Sequence, residues 1–129
     1  MHIQELADAL TSKDLSRYSA WFAEDMRLYT PVHEKLSVGK QAASQILPLV
    51  FSFFNHFHYP EVFRGQGSHA LICRAEVDGI ALESVDYVKL NDSGLITDFY
   101  VMLRPLKAIT TLAELIGTAM QHREGNHPV

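Results

Sequence analysis

The chain has 129 residues, of which 47% are hydrophobic and 20% charged, with a formal net charge of -4. That size and balance fit one globular domain over residues 1–129 with a single core. The negative charge, without any basic run or stripe, argues against nucleic acid, and no apolar run approaches the roughly 20 residues of a membrane span.

Ile3, Leu6, Ala7 and Leu10 share one face of a short first helix. Thr11-Ser12-Lys13 breaks it, and Asp14 is placed to cap a second helix running to about Phe22 or Ala23. Met26 to Tyr29 reads as a short strand and Thr30 to Gly39 as a loop. Lys40 to Phe54 has the apolar period of a third helix, and Pro48 inside it predicts a kink or break near Gln45. His56 to Phe63 reads as a strand, with Phe57 and Tyr59 inward and His56 and His58 outward.

The stretch Ser68 to Arg104 reads as three antiparallel strands, turning at Asp78-Gly79 and again at Asn91-Asp92-Ser93-Gly94. Pro105 suits the first turn of a last helix whose stripe is Leu106, Ile109, Leu112, Leu115 and Ile116. The tail from Gln121 to Val129 reads as frayed. Helices first, a meander of strands next and one closing helix make an α+β fold with an antiparallel sheet covered on one face.

A two-residue turn at Asp78-Gly79 pairs Val77 with Ile80, Arg74 with Glu83, Cys73 with Ser84 and Leu71 with Asp86. Leu71, Cys73, Ala75, Leu82, Ser84, Asp86 and Val88 then share the inner face, joined by Phe99, Val101 and Leu103 from the next strand. Asp86 stands out as a carboxylate among apolar neighbours, where desolvation raises a pKa and creates an acid, a base or a hydrogen-bond partner for a ligand. The alternative is a structural aspartate bonded to Tyr18, Tyr29 or backbone amides.

Val85-Asp86-Tyr87-Val88-Lys89-Leu90, then Asn91 to Ile96, then Val101-Met102-Leu103-Arg104-Pro105-Leu106 resemble the SnoaL-like branch of the nuclear transport factor 2-like superfamily. Tyr29-Thr30-Pro31 leading to Val38-Gly39-Lys40-Gln41-Ala42 resembles that family's strand, loop and helix entry, and the likeness covers about residues 3–117. The resemblance implies N-terminal helices packed in the concave face of a curved sheet, a cone around a pocket, and dimers through the outer sheet face. Relatives include ketosteroid isomerases, a limonene-type epoxide hydrolase and polyketide cyclases.

Asp86 matches the aspartic acid that helps bind the oxyanion in ketosteroid isomerases. The general-base aspartate is replaced by Thr30, the oxyanion tyrosine by Leu6, and its two supporting tyrosines by Phe22 and Leu47. Threonine cannot abstract the proton, so ketosteroid isomerase activity is not expected. Neither is the Asp-Arg-Asp set of the epoxide hydrolase, because Arg74 and Asp98 fall on the outer alternation.

Around Asp86 the expected ligand-binding residues are Tyr18, Phe22, Tyr29, His33, Phe51, Ser84, Phe99 and Val101, with His33 at the pocket mouth as a proton shuttle. His56 and His58 have the spacing of a metal clip but face outward without a carboxylate, so no metal and no cofactor are expected. Cys73 reads as a small buried hydrophobe rather than a nucleophile. It is the lone cysteine, and no basic-then-apolar leader opens the chain, so a cytoplasmic setting is expected.

Outside the sheet, Ile72, Val85, Tyr87, Tyr100 and Met102 make an apolar patch edged by Arg74 and Glu83, which predicts a homodimer interface. The function expected is binding of a small hydrophobic or aromatic molecule, with isomerase, cyclase or hydrolase chemistry through Asp86. The alternative is a non-catalytic interaction module with a filled cavity.

Overall fold

Apolar spacing in the first residues builds helix α1 (Ile3–Thr11), which buries Ile3, Leu6, Ala7, Ala9 and Leu10. These and the following elements come from a computed structural model that describes residues 2–125. Helix α2 (Leu15–Tyr18) is a single turn, followed by a 3₁₀ turn over Ser19–Trp21. The second helix is thus shorter than its apolar pattern predicts, and strand β1 (Phe22–Tyr29) begins where that helix was expected to continue. Phe22 pairs with Ile96, so sheet pairing overrides a local helical period.

Strand β2 (Ser37–Val38) is a short edge, and α3 (Lys40–Ser52) follows it. The break expected near Gln45 is absent: α3 runs unbroken through Pro48. Proline removes one helical donor there, but Leu47, Val50 and Phe51 on either side are buried and hold the helix together.

Strands β3 (Asn55–Arg64), β4 (Ser68–Val77), β5 (Ile80–Leu90) and β6 (Ile96–Arg104) form the meander, and α4 (Leu106–Gly125) closes the fold. The α4 helix reaches Gly125, beyond Gln121 where fraying is expected; residues 126–129 lie outside the described residues. The six strands make one curved, open sheet in the order β2-β1-β6-β5-β4-β3. It is antiparallel throughout except that β1 runs parallel to β6. The hairpin register is the expected one, from Val77 opposite Ile80 to Leu71 opposite Asp86. Asp78 and Gly79 both take positive φ, 50° and 79°, as a tight turn matched to strand twist requires.

One sheet face is covered by helices: α3 lies on β1, α1 on β3, and α4 on β4, β5 and β6. Tyr18, Phe22, Phe51, Phe54 and Phe99 are among its largest fully buried side chains. From α4, Ala108, Leu112 and Ile116 enter that core once per turn.

Candidate functional site

Period-two alternation on β4, β5 and β6 sends Leu71, Cys73, Ala75, Leu82, Ser84, Asp86, Val88, Phe99, Val101 and Leu103 inward, all buried. Asp86 is 1% exposed, opposite Leu71 on one side and Val101 on the other. Its partner is Tyr59 of β3, whose hydroxyl donates to Asp86 Oδ2 at 2.6 Å. Ser84 Oγ lies 3.5 Å from Asp86 Oδ1, at the outer limit of a hydrogen bond.

Burial is the largest influence on the carboxyl and outweighs the two hydroxyls that stabilise its anion, so its pKa rises from 3.8 to about 7. Asp86 therefore carries or releases a proton near neutrality. Tyr59 is pushed well above the ordinary phenol range, first by burial and then by the Asp86 charge. Burial and then Asp86 also push up the Cys73 thiol, leaving a thiol that is inert as a nucleophile.

Tyr18 completes the group. Its hydroxyl is fully buried and has no hydrogen-bond partner among the described residues, and burial raises its pKa to about 12. Rings connect it to Tyr59: Tyr18 meets Phe51 edge-on at 6.2 Å, Phe51 meets Phe57 at 5.2 Å, and Phe57 meets Tyr59 at 5.2 Å. Phe22 packs on Tyr18 from the other side at 5.8 Å. The arrangement is a carboxyl and two phenols enclosed by aromatic carbon, able to hold a proton or bond an oxygen, with no second carboxylate beside it among the described residues to act as a base.

Of the expected ligand-binding residues, Tyr18, Phe22, Phe51, Ser84, Phe99 and Val101 lie in this interior with Asp86. Tyr29 and His33 do not. Met26 and Leu28 take the inward positions of β1, so Tyr29 points to the outer face, where it stacks on Tyr100 at 4.1 Å. His33 is exposed in the loop after β1, with Nδ1 2.7 Å from Thr30 Oγ1. It lines a groove of about 210 Å³ between α3 and α4, with Gln45, Ile46, Leu49, Val50, Ile116 and Met120. Two concavities of about 330 and 340 Å³ lie by Glu83 and Arg104 toward the outer side of the sheet. Asp86 lines none of these three.

Tyr59 is the residue that sequence reasoning places inward without assigning it to Asp86. The signal is Pro60: a proline within a strand marks irregular pairing, and the β3–β4 register shifts between His58 and Glu61.

The outer face is ordered in cross-strand rows. Tyr29, Tyr100, Tyr87, Ala70 and Phe63 follow one another from β1 to β3, and Met102, Val85 and Ile72 form the neighbouring row. Charged rows flank both. On one side Arg27 Nε meets Asp98 Oδ1 at 3.1 Å. On the other, Glu83 meets Arg74 at 3.6 Å, the expected pair, and also Arg104 at 2.9 Å. The Arg27–Asp98 pair lies across the sheet from Asp86, so the three do not converge.

No protein-family model and no functionally curated protein matches the chain. Solved structures do. An uncharacterised bacterial protein with a cystatin-like fold from Silicibacter pomeroyi DSS-3 is 28% identical over 92% of this chain and 84% of its own, with a TM-score of 0.87. A steroid delta-isomerase from Pseudomonas aeruginosa is 26% identical over 95% of this chain and 91% of its own, with a TM-score of 0.88. A candidate SnoaL-like polyketide cyclase from Shewanella denitrificans OS-217 shares the fold at 14% identity and a TM-score of 0.66, over 87% of this chain and 93% of its own.

Proposed function

For this nuclear transport factor 2-like domain, we propose that the interior around Asp86 binds a small hydrophobic or aromatic molecule through one oxygen. The observation that carries this reading is the fully buried Tyr18 hydroxyl without a partner, in the same aromatic enclosure as the Tyr59–Asp86 bond. A buried unpaired hydroxyl costs about 1–3 kcal/mol, a cost that a bonded ligand removes. Chemistry at this site is limited to what a carboxyl titrating near neutrality and two phenols can do: donate or accept one proton at the bound oxygen, as an isomerase, cyclase or hydrolase step requires. Abstraction of a carbon-bound proton in the ketosteroid isomerase manner is not part of the reading. The family resemblance puts Thr30 where those enzymes carry the base, and its hydroxyl lies 2.7 Å from His33 Nδ1.

Native mass spectrometry of the gently purified protein, followed by denaturing release, tests the proposal. The expected result is a stoichiometric small molecule that is lost in both Asp86→Asn and Tyr18→Phe. A molecule retained equally by both variants refutes the assignment.

A second reading has its own observation. The interior is packed by Phe22, Phe51, Phe54 and Phe99, while the outer face presents apolar rows between charged ones. Such a face suits a second copy of the chain, through Ile72, Val85, Tyr87, Tyr100 and Met102 with Arg74 and Glu83 at the edge. Sedimentation of the purified protein at micromolar concentration is expected to give a dimer mass, and Tyr100→Glu a monomer. A monomeric mass for the unaltered chain rejects this interface.

A further inference from the structure

We propose that the groove between α3 and α4 is a binding site in its own right, for a neutral single-ring molecule bearing one hydroxyl. It is separate from the Asp86 interior. Its walls are Ile46, Leu49 and Val50 from α3 and Ile116 and Met120 from α4, with His33 and Gln45 as the polar groups.

Size sets the first limit. An engineered apolar cavity of about 150 Å³ holds benzene, so about 210 Å³ admits one ring with a small substituent. A drug-sized molecule needs about 300 Å³ or more.

Charge sets the second. Among the described residues no Asp, Glu, Lys or Arg lines the groove, so an ionic ligand gives up hydration without meeting a fixed counter-charge from them. A neutral ligand meets no such loss.

The polar group sets the third. Thr30 Oγ1 occupies His33 Nδ1 at 2.7 Å, so Nε2 is the ring nitrogen left for a ligand. Nε2 is a donor in one tautomer and an acceptor in the other. A hydroxyl satisfies both, as it does the Gln45 amide, whereas a carbonyl or an ether can only accept. Thr30 thereby acts as a positioning residue for the imidazole.

The test uses p-cresol as probe and methyl-resolved NMR of the full chain as readout. The expected result is saturable shifts at the Ile46, Leu49, Ile116 and Met120 methyls. His33→Ala is expected to weaken binding about tenfold, the value of one hydrogen bond, and Thr30→Val to weaken it by less. Gln45→Trp, an exposed position that folding does not depend on, is expected to block the groove, while Asp86→Asn leaves binding unchanged. Benzoate, of similar ring size but charged, is expected to bind at least tenfold more weakly. The proposal is overturned by the absence of saturable shifts at millimolar p-cresol, or by shifts centred on the Val88 and Val101 methyls of the Asp86 interior. Binding that survives Gln45→Trp, or equal binding of benzoate, overturns it as well.

Discussion

Replacing Asp86 by asparagine removes a titrating proton while keeping the size of the side chain and an oxygen to accept from Tyr59. In the folded chain burial raises the Asp86 pKa from 3.8 to about 7. Below pH 4 the carboxyl is protonated whether the chain is folded or not, and its contribution is flat. Between about pH 4 and pH 7 the unfolded chain releases the proton and the folded chain keeps it. The unfolded state then binds fewer protons, so stability falls as pH rises.

Above pH 7 both states are ionised and the slope vanishes. The window spans roughly three pH units at about 1.4 kcal/mol each, so the loss approaches about 4 kcal/mol as an order of magnitude. Asparagine has no such slope. Urea unfolding of both proteins at intervals from pH 4 to pH 8 is the assay, and taking the difference cancels every other titrating group. Asp86→Asn is expected to stand near the unaltered chain at the acid end and to become progressively more stable than it toward pH 8. A stability difference that stays constant across this range refutes the claim that desolvation governs Asp86.

The unpartnered Tyr18 hydroxyl makes a related prediction: Tyr18→Phe raises the stability of the ligand-free protein by about 1 kcal/mol in urea unfolding, because the buried group removed has no bond to lose. Leu112 of α4 is fully buried, so Leu112→Ala is expected to cost about 2–5 kcal/mol by the same assay, the range for a core leucine. A cost below about 1 kcal/mol would show that α4 is not packed on the sheet as described.

The sequence by itself determines the strand meander and its register. Asp78-Gly79 permits one tight turn, and a period of two then dictates which side chains from Leu71 to Val88 face inward, Asp86 among them. Leu112 and Ile116 of the expected α4 stripe are buried and the outward Arg74–Glu83 pair forms, by the same local rules, but Leu106 is exposed at the start of α4 and Ala108 takes the inward position instead. These features depend on neighbours a few residues apart, or on a register that one turn sets.

Tertiary structure decides the rest. The helix expected to reach Ala23 gives way at Phe22 because β1 is claimed by a parallel partner, β6, far along the chain. That pairing turns Tyr29 away from Asp86 and onto Tyr100. The register shifts in β3 and the curvature of the sheet bring Tyr59 to Asp86. The loop after β1 and the approach of α4 to α3 set His33 beside the groove rather than beside the buried carboxyl. Each of these depends on how separate elements meet, and a one-residue difference in a strand's start or register reverses which face a side chain occupies. The residues of the candidate site are thus legible as types and as parities, while their partners emerge only when the sheet curls and the helices close over it.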